Sequence, residues 1–183
     1  MEKQSLLLHS CCAPCSSSVL ERLTGEFDVT VCYYNPNIYP EAEYFRRLAE
    51  QKDFLSAYSP GREIGFIEEN YDPPKFYDCI KGLEDEPEAG ERCFRCYRLR
   101  LERAAKRAKE YGFDYFTSTL SVSSHKNARK LNEIGGELEG EYGVKYLQSD
   151  FKKKDGYKRS VELSRIYQLY RQEYCGCKFS AER

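Results

Sequence analysis

A doubly wound α/β fold, with a mainly parallel five-stranded sheet and helices on both faces, is predicted by three observations. Short apolar runs rich in β-branched and aromatic residues alternate with longer segments of helical periodicity. Proline, glycine and asparagine punctuate the changes of period. The 183 residues carry no repeat, linker or low-complexity tract, which suits a single catalytic domain over 1–183, large enough to bury a core.

The elements follow in order. SLLLHS (5–10) has the length of a buried strand, and Pro14 opens a helix through SSSVLERL. FDVTVCYYN (27–35) reads as the second strand, after which NPN turns and Pro40 opens a helix to about Tyr58. EIGFIEE (63–69) is the third strand, followed by a Pro-Pro helix start running to about Gly82. In CFRCYRLRLERAAKRAKEYG, apolar residues at 97, 101, 104, 105, 108 and 111 form one helical stripe, and Gly112 suits a left-handed cap. FDYFTSTL (113–120) is strand four, a serine-capped helix covers about 124–139, and VKYLQSD (144–150) is strand five. A closing helix, VELSRIYQLYRQEY, presents apolar positions 163, 166, 167 and 170.

Charge sorts along the chain although the net charge is only -1. Residues 84–91 carry five acids and no base, 92–109 eight bases against one acid, and 145–159 six against two. Solvated helix faces account for such runs, and so does a footprint for phosphate backbones. Nothing approaches membrane-spanning length, and MEKQSLLLHS lacks the apolar core of a signal peptide, so the cytoplasm is expected. In that reducing compartment nine cysteines read as metal ligands or catalytic thiols rather than as disulfides.

The thiols cluster. Cys11, Cys12 and Cys15 follow strand one, where a nucleotide-binding relative of this fold carries a glycine-rich anion loop. No glycine occurs before residue 25, so a phosphate cradle there is disfavoured. Cys93 and Cys96 open the basic helix, whose positive end favours thiolate, and can face the same strand edge as Cys11 and Cys12. Four thiolates suit tetrahedral zinc or an iron–sulfur cluster. The cluster is favoured because adjacent side chains of an extended Cys11–Cys12 segment diverge, which is awkward for one zinc. Gly176 lets Cys175 and Cys177 turn to one side, as a dithiol or as ligands to a second metal ion. Cys15 is a spare ligand or a helix-start thiol, Cys32 is core packing and Cys79 has no assigned role. Asp150, at the end of strand five, is a candidate proton donor or metal ligand. His9 reads as a satisfied core residue and His125 as surface.

Taken together, LLLHSCCAPCSS, YYNPNIYPEAEYFRR, RCFRCYRLRLERAA and the ending YLQSDFKKKDGYKRSVELSRIYQLYRQEYCGC resemble the cobalamin-independent epoxyqueuosine reductases, the QueH family. The resemblance covers nearly the whole chain. It implies a fold similar to adenine-nucleotide alpha-hydrolase-like domains and the reduction of epoxyqueuosine in tRNA to queuosine. It places Cys11, Cys12, Cys93 and Cys96 on a [4Fe-4S] cluster. It makes Cys175 and Cys177 a redox-active pair or, in the metal-loaded form, ligands to one additional iron. The implied partners are the tRNA anticodon stem-loop and an unidentified electron donor. Arginines 95, 98, 100, 103 and 107, taken as outward, would steer the RNA. Two rivals stand beside this reading: an iron–sulfur disulfide reductase or redox relay, and a zinc-stabilised RNA-binding module.

Overall fold

The computed structural model describes residues 3–58, 60–61 and 63–182. Five strands form one wholly parallel sheet in the order β3-β2-β1-β4-β5, built from Gln4–Ser10 (β1), Phe27–Tyr33 (β2), Gly65–Glu68 (β3), Tyr115–Ser118 (β4) and Lys145–Tyr146 (β5). The predicted doubly wound α/β class holds. Leu6, Leu7 and Leu8 are all fully buried because β1 is central and covered on both faces, which is why it reads as a continuous apolar run. Each such leucine contributes about 1.5–3 kcal/mol of burial.

Leu6 and Leu8 pack with Val29, Val31, α1 (Ala13–Leu23) and Phe54 of α2 (Glu41–Ala57). Leu7 faces the opposite layer, α4 (Glu91–Tyr111) and α5 (Ala128–Tyr142), through Tyr97, Leu101, Leu131 and Leu138. The α4 stripe buries 97, 101, 104, 105 and 108 as expected. Tyr111 is exposed instead, since Gly112 takes φ 73° directly after it and ends the helix past the core. The Pro-Pro helix, α3, is shorter than expected, Pro73–Cys79.

Three boundaries near the C-terminal edge differ from the sequence reading. Strand β4 stops at Ser118, whose Oγ accepts from Leu120 N at 3.1 Å and caps a 3-10 turn over Thr119–Val122. Helix α5 is capped by Asn127, not by a serine, and runs to Tyr142. Strand β5 is two residues long because the Asn132 side chain takes over: Asn132 Oδ1 accepts from Ser149 N and Asn132 Nδ2 donates to Ser149 O, both at 3.0 Å, drawing the chain off the sheet.

The closing helix, α6, spans Gly156–Ile166 and packs on α1. Leu163 is buried as expected, but Ile166 is 63% exposed and the chain leaves the helix before 170. Gln168 adopts φ 53°, with Gln168 N bonded to Arg165 O and Leu169 N to Ser164 O, a Schellman end formed without glycine. That turn sends residues 169–177 across the sheet edge to a short last helix, α7 (Lys178–Ala181). Among the described residues no helix is long and apolar enough to cross a membrane.

Gly156 starts α6 where a Cβ would lie 1.7 Å from Phe151 O, with Arg22 bonded to the neighbouring Lys153 and Lys154 carbonyls. Gly156→Ala is expected to cost about 3 kcal/mol, lowering the melting temperature by roughly 6–12 °C in differential scanning calorimetry.

Candidate metal and redox site

The strand order reverses between β1 and β4, and the thiols gather at the carboxyl end of that junction. Cys11 leaves β1 and Thr119 leaves β4. Cys11 N donates to Thr119 Oγ1 at 3.4 Å, and the two side chains meet at 3.6 Å. Cys12, extended at φ -171°, is the N-cap of α1, and Pro14 sits in its first turn. The chain bends at this strand-to-helix passage, so Cys11 Sγ and Cys12 Sγ lie only 3.8 Å apart. The expectation that these neighbours diverge is therefore corrected, and the argument it supplied against zinc falls away. Cys15 joins them from the next turn, all three sulfurs lying within 4.8 Å of one another, a group able to hold a metal.

Hydrogen bonds from Cys12 and Cys15 hold the Cys11 thiol well below its ordinary range. Cys12 is pushed up to about 12, first by its hydrogen bond with Cys11, and Cys15 is raised by its hydrogen bonds with Cys11 and Cys12. Gln172 Nε2 donates to Cys12 Sγ at 3.0 Å from the returning C-terminal segment.

Cys93 and Cys96 stand on the first turns of α4, as the spacing predicts. Ala89 N donates to Cys93 Sγ at 3.3 Å, while Cys96 is buried with Phe76, Ile80 and Cys177 and pushed up to about 12 by that burial. Cys175 Sγ accepts from Lys126 Nζ at 2.7 Å; although burial raises the thiol, Lys126 and Arg100 bring it below its ordinary value.

Two adjoining spaces collect these groups. A cavity of about 460 Å³ is lined by Cys11, Cys15 and Cys175 together with Tyr157, Arg171 and His125. A void of about 10 Å³ beside it is lined by Cys93, Cys96, Cys175 and Cys177. Arg100, Lys126 and Cys175 border both. Cys11, Cys15 and Cys175 thus border the larger space and Cys93, Cys96, Cys175 and Cys177 the smaller, while buried Cys12 borders neither.

Other candidates fall outside both. Asp150 pairs with Lys152 at 3.1 Å and Lys153 at 3.9 Å, and is not among the residues bordering either space. Cys32 is core, as expected, and Cys79 packs beside the Phe76 cluster. His9 is buried and satisfied by Ser118 Oγ and Tyr34 O, both at 2.9 Å; burial lowers its pKa to about 4 and keeps it neutral.

The basic helix is corrected more strongly. Arg100 is 2% exposed, not outward. Arg103 and Arg107 pair with Glu69, Arg98 with Glu137 and Glu141, and Arg95 with Glu91, so intramolecular carboxylates claim the rest. Sequence reasoning missed Lys126 and Gln172 at the site, and gave Arg100 an outward role instead of a place among the thiols. Only Arg100 carried a signal, lying four residues after Cys96 on the same helix face.

Residues 6–183 match the family model described as epoxyqueuosine reductase QueH. An epoxyqueuosine reductase QueH of Staphylococcus epidermidis is 47% identical, over 98% of this chain and 77% of the relative. That of Streptococcus pyogenes is 46% identical, over 98% and 71%, and that of Thermotoga maritima 35% identical, over 96% and 90%. With the match running from β1 to the end of the chain, through every cysteine of the site, the chain belongs to the epoxyqueuosine reductase QueH family.

Proposed function

We propose that this protein is an oxidoreductase that reduces the epoxide of epoxyqueuosine in tRNA to the alkene of queuosine. The observation that carries the reading is the gathering of thiols at the floor of a 460 Å³ cavity on the carboxyl edge of the sheet. All the groups invoked stand on one sheet and its flanking segments, which supports treating 1–183 as one catalytic domain.

The donor set fits an iron–sulfur group: the site offers several soft sulfurs with Arg100 and Lys126 beside them, and among the described residues no carboxylate borders the small void. Cys11, Cys12, Cys93 and Cys96 would hold a [4Fe-4S] cluster, with Cys15 the nearest alternative ligand. Bound there, it would supply electrons one at a time.

The reaction breaks both C–O bonds of the epoxide, forms a C=C bond and releases the oxygen as water. It consumes two electrons and two protons. Oxidation of the Cys175–Cys177 dithiol to a disulfide releases two of each, after which an external reductant must restore the thiols. In the alternative role the same pair helps to bind one additional iron. Single turnover without reductant, followed by alkylation and mass analysis, separates the two: a disulfide appears in the first case only.

The chain's own residues organise access. Tyr157, 47% exposed at the cavity, offers a face on which an unstacked base can lie, and the Arg171 guanidinium stands 5.7 Å from its ring. Lys154 and Lys158, both exposed, flank Tyr157 and take over the steering role that α4 cannot fill. Lys154→Glu with Lys158→Glu is expected to raise the apparent KM for tRNA severalfold at physiological salt. It should also reduce the slope of log affinity against log salt by about 1–2, measured by filter binding. Arg103→Glu should instead act on stability, through Glu69.

The deciding assay incubates anaerobically reconstituted protein and a one-electron reductant with epoxyqueuosine-containing tRNA. Queuosine, lighter by one oxygen in nucleoside mass spectrometry, is expected. Turnover of small disulfides with the tRNA unchanged would favour the redox-relay reading, and colourless zinc-loaded protein the RNA-binding module.

A further inference from the structure

Arg100 and Lys126 are 2% and 8% exposed, and both border the two spaces where the thiols meet. Arg100 Nε donates to Cys96 O at 3.3 Å, while its buried Nη2 has no hydrogen-bond partner among the described residues. Lys126 Nζ donates to Cys175 Sγ at 2.7 Å and stands 5.7 Å from the Tyr97 ring.

Of the other arginines on this helix, buried Arg92 is satisfied by the Glu84 and Glu86 carbonyls, and Arg95 pairs with Glu91. Arg98, Arg103 and Arg107, each partly exposed, all receive carboxylate partners. Arg100, the most deeply buried of them, makes no ion pair with a carboxylate among the described residues, and neither does Lys126. Two like charges close together in a buried site are unfavourable without anions between them. The groups acting on Arg100 are the sulfurs of Cys96, Cys175 and Cys11 together with Tyr97, and on Lys126 the Cys175 sulfur and Tyr97. In spite of burial, these neighbours raise both side chains above their ordinary values, Lys126 through its direct contact with the Cys175 sulfur.

We infer that Arg100 and Lys126 are the fixed counter-charge of the sulfur centre and set the potential at which it accepts electrons. The inference rests on reading the thiols as iron–sulfur ligands. Thiolates bound to iron leave a net negative site, and each electron accepted adds a further negative charge. Two cations a few ångströms away favour the reduced state, so removing one makes the centre harder to reduce. Both are positioning residues here, acting through the sulfurs rather than on the substrate.

The test uses anaerobically reconstituted full-length protein carrying Arg100→Met, Arg100→Lys, Lys126→Met or Lys126→Arg. Iron and sulfide content is measured first, then the midpoint potential by optical redox titration. Any methionine variant that loads should show a lower midpoint, by at least tenfold in the reduction equilibrium, about 59 mV for one electron. The Lys and Arg variants should stay near the parent. If both methionine variants fail to load while both charge-keeping variants load, the counter-charge is needed for assembly and the inference stands. Methionine variants at the parent potential, or loss of loading in all four, would overturn it. A parent protein that binds no iron removes the functional reading itself, an outcome distinct from unchanged potentials in loaded variants.

Discussion

Cys12→Ala protein, purified and reconstituted without oxygen, is expected to retain about a tenth or less of the parent's iron and sulfide and to lose its brown colour. Cys12 is 1% exposed and lies 3.8 Å from Cys11 Sγ, with Gln172 donating to it from the other side. It therefore offers a sulfur fixed by its backbone and oriented by a neighbour, which is what a ligand needs before iron arrives. The fold should survive the change. Cys12 makes no side-chain cap bond to α1, so alanine there removes a buried sulfur but no helix-capping interaction. Cys32→Ala is the matched control: it is fully buried in the core, costs about 1 kcal/mol through a small cavity, and should keep full iron and colour. Cys15→Ala is the discriminating third variant. Retained iron assigns the cluster to Cys11, Cys12, Cys93 and Cys96; loss of iron comparable to Cys12→Ala moves a ligand to Cys15. Full iron in Cys12→Ala would dismantle the proposed centre.

What the sequence made legible was the part decided by local physics. The run LLL declares a central strand because both faces of β1 are covered, and the α4 stripe declares its buried face because it repeats at helical spacing. Cys11 and Cys12 at the end of β1, and Cys93 and Cys96 on the first turns of α4, could be located because strand ends and helix starts follow the alternation of a parallel sheet. What stayed hidden depends on contacts across the chain. Gln168 ends α6 at positive φ with no glycine to announce it, and that turn carries Gln172 onto Cys12. Lys126 lies in a stretch without periodicity, yet reaches Cys175 across 49 residues. The basic run 92–109 misled for the same reason. Counting charges along α4 cannot show that Glu69, from beyond β3, takes Arg103 and Arg107, or that Arg100 turns inward.

The second large effect is expected at Arg47, where one buried side chain holds the Cys175–Cys177 turn. Its guanidinium is 1% exposed. Nε donates to Glu43 at 2.7 Å, Nη1 to Cys175 O at 3.0 Å and Nη2 to Tyr174 O at 3.4 Å. Gly176 takes φ 131°, and a Cβ there would sit 2.9 Å from Arg47 Nη1, so the turn is shaped around the guanidinium. Removing the cation leaves the Glu43 carboxylate, among the described residues, with only Tyr170 OH at 3.3 Å, and takes the Arg47 donors from two carbonyls. Arg47→Met should therefore cost about 3–5 kcal/mol, a fall of roughly 6–20 °C in melting temperature. Adding Glu43→Gln should restore part of that loss, because the double variant no longer buries an unpaired carboxylate. Arg47→Lys should recover charge but not the fork that grips two successive carbonyls, and so should lie between parent and Arg47→Met. Below their melting points, Arg47→Met and Arg47→Lys should both alkylate faster at Cys175 than the parent does, since the turn is no longer held against α2. A melting temperature within about 2 °C of the parent, with unchanged alkylation, would show that the Cys175–Cys177 turn is held by α7 and the chain around it rather than by Arg47.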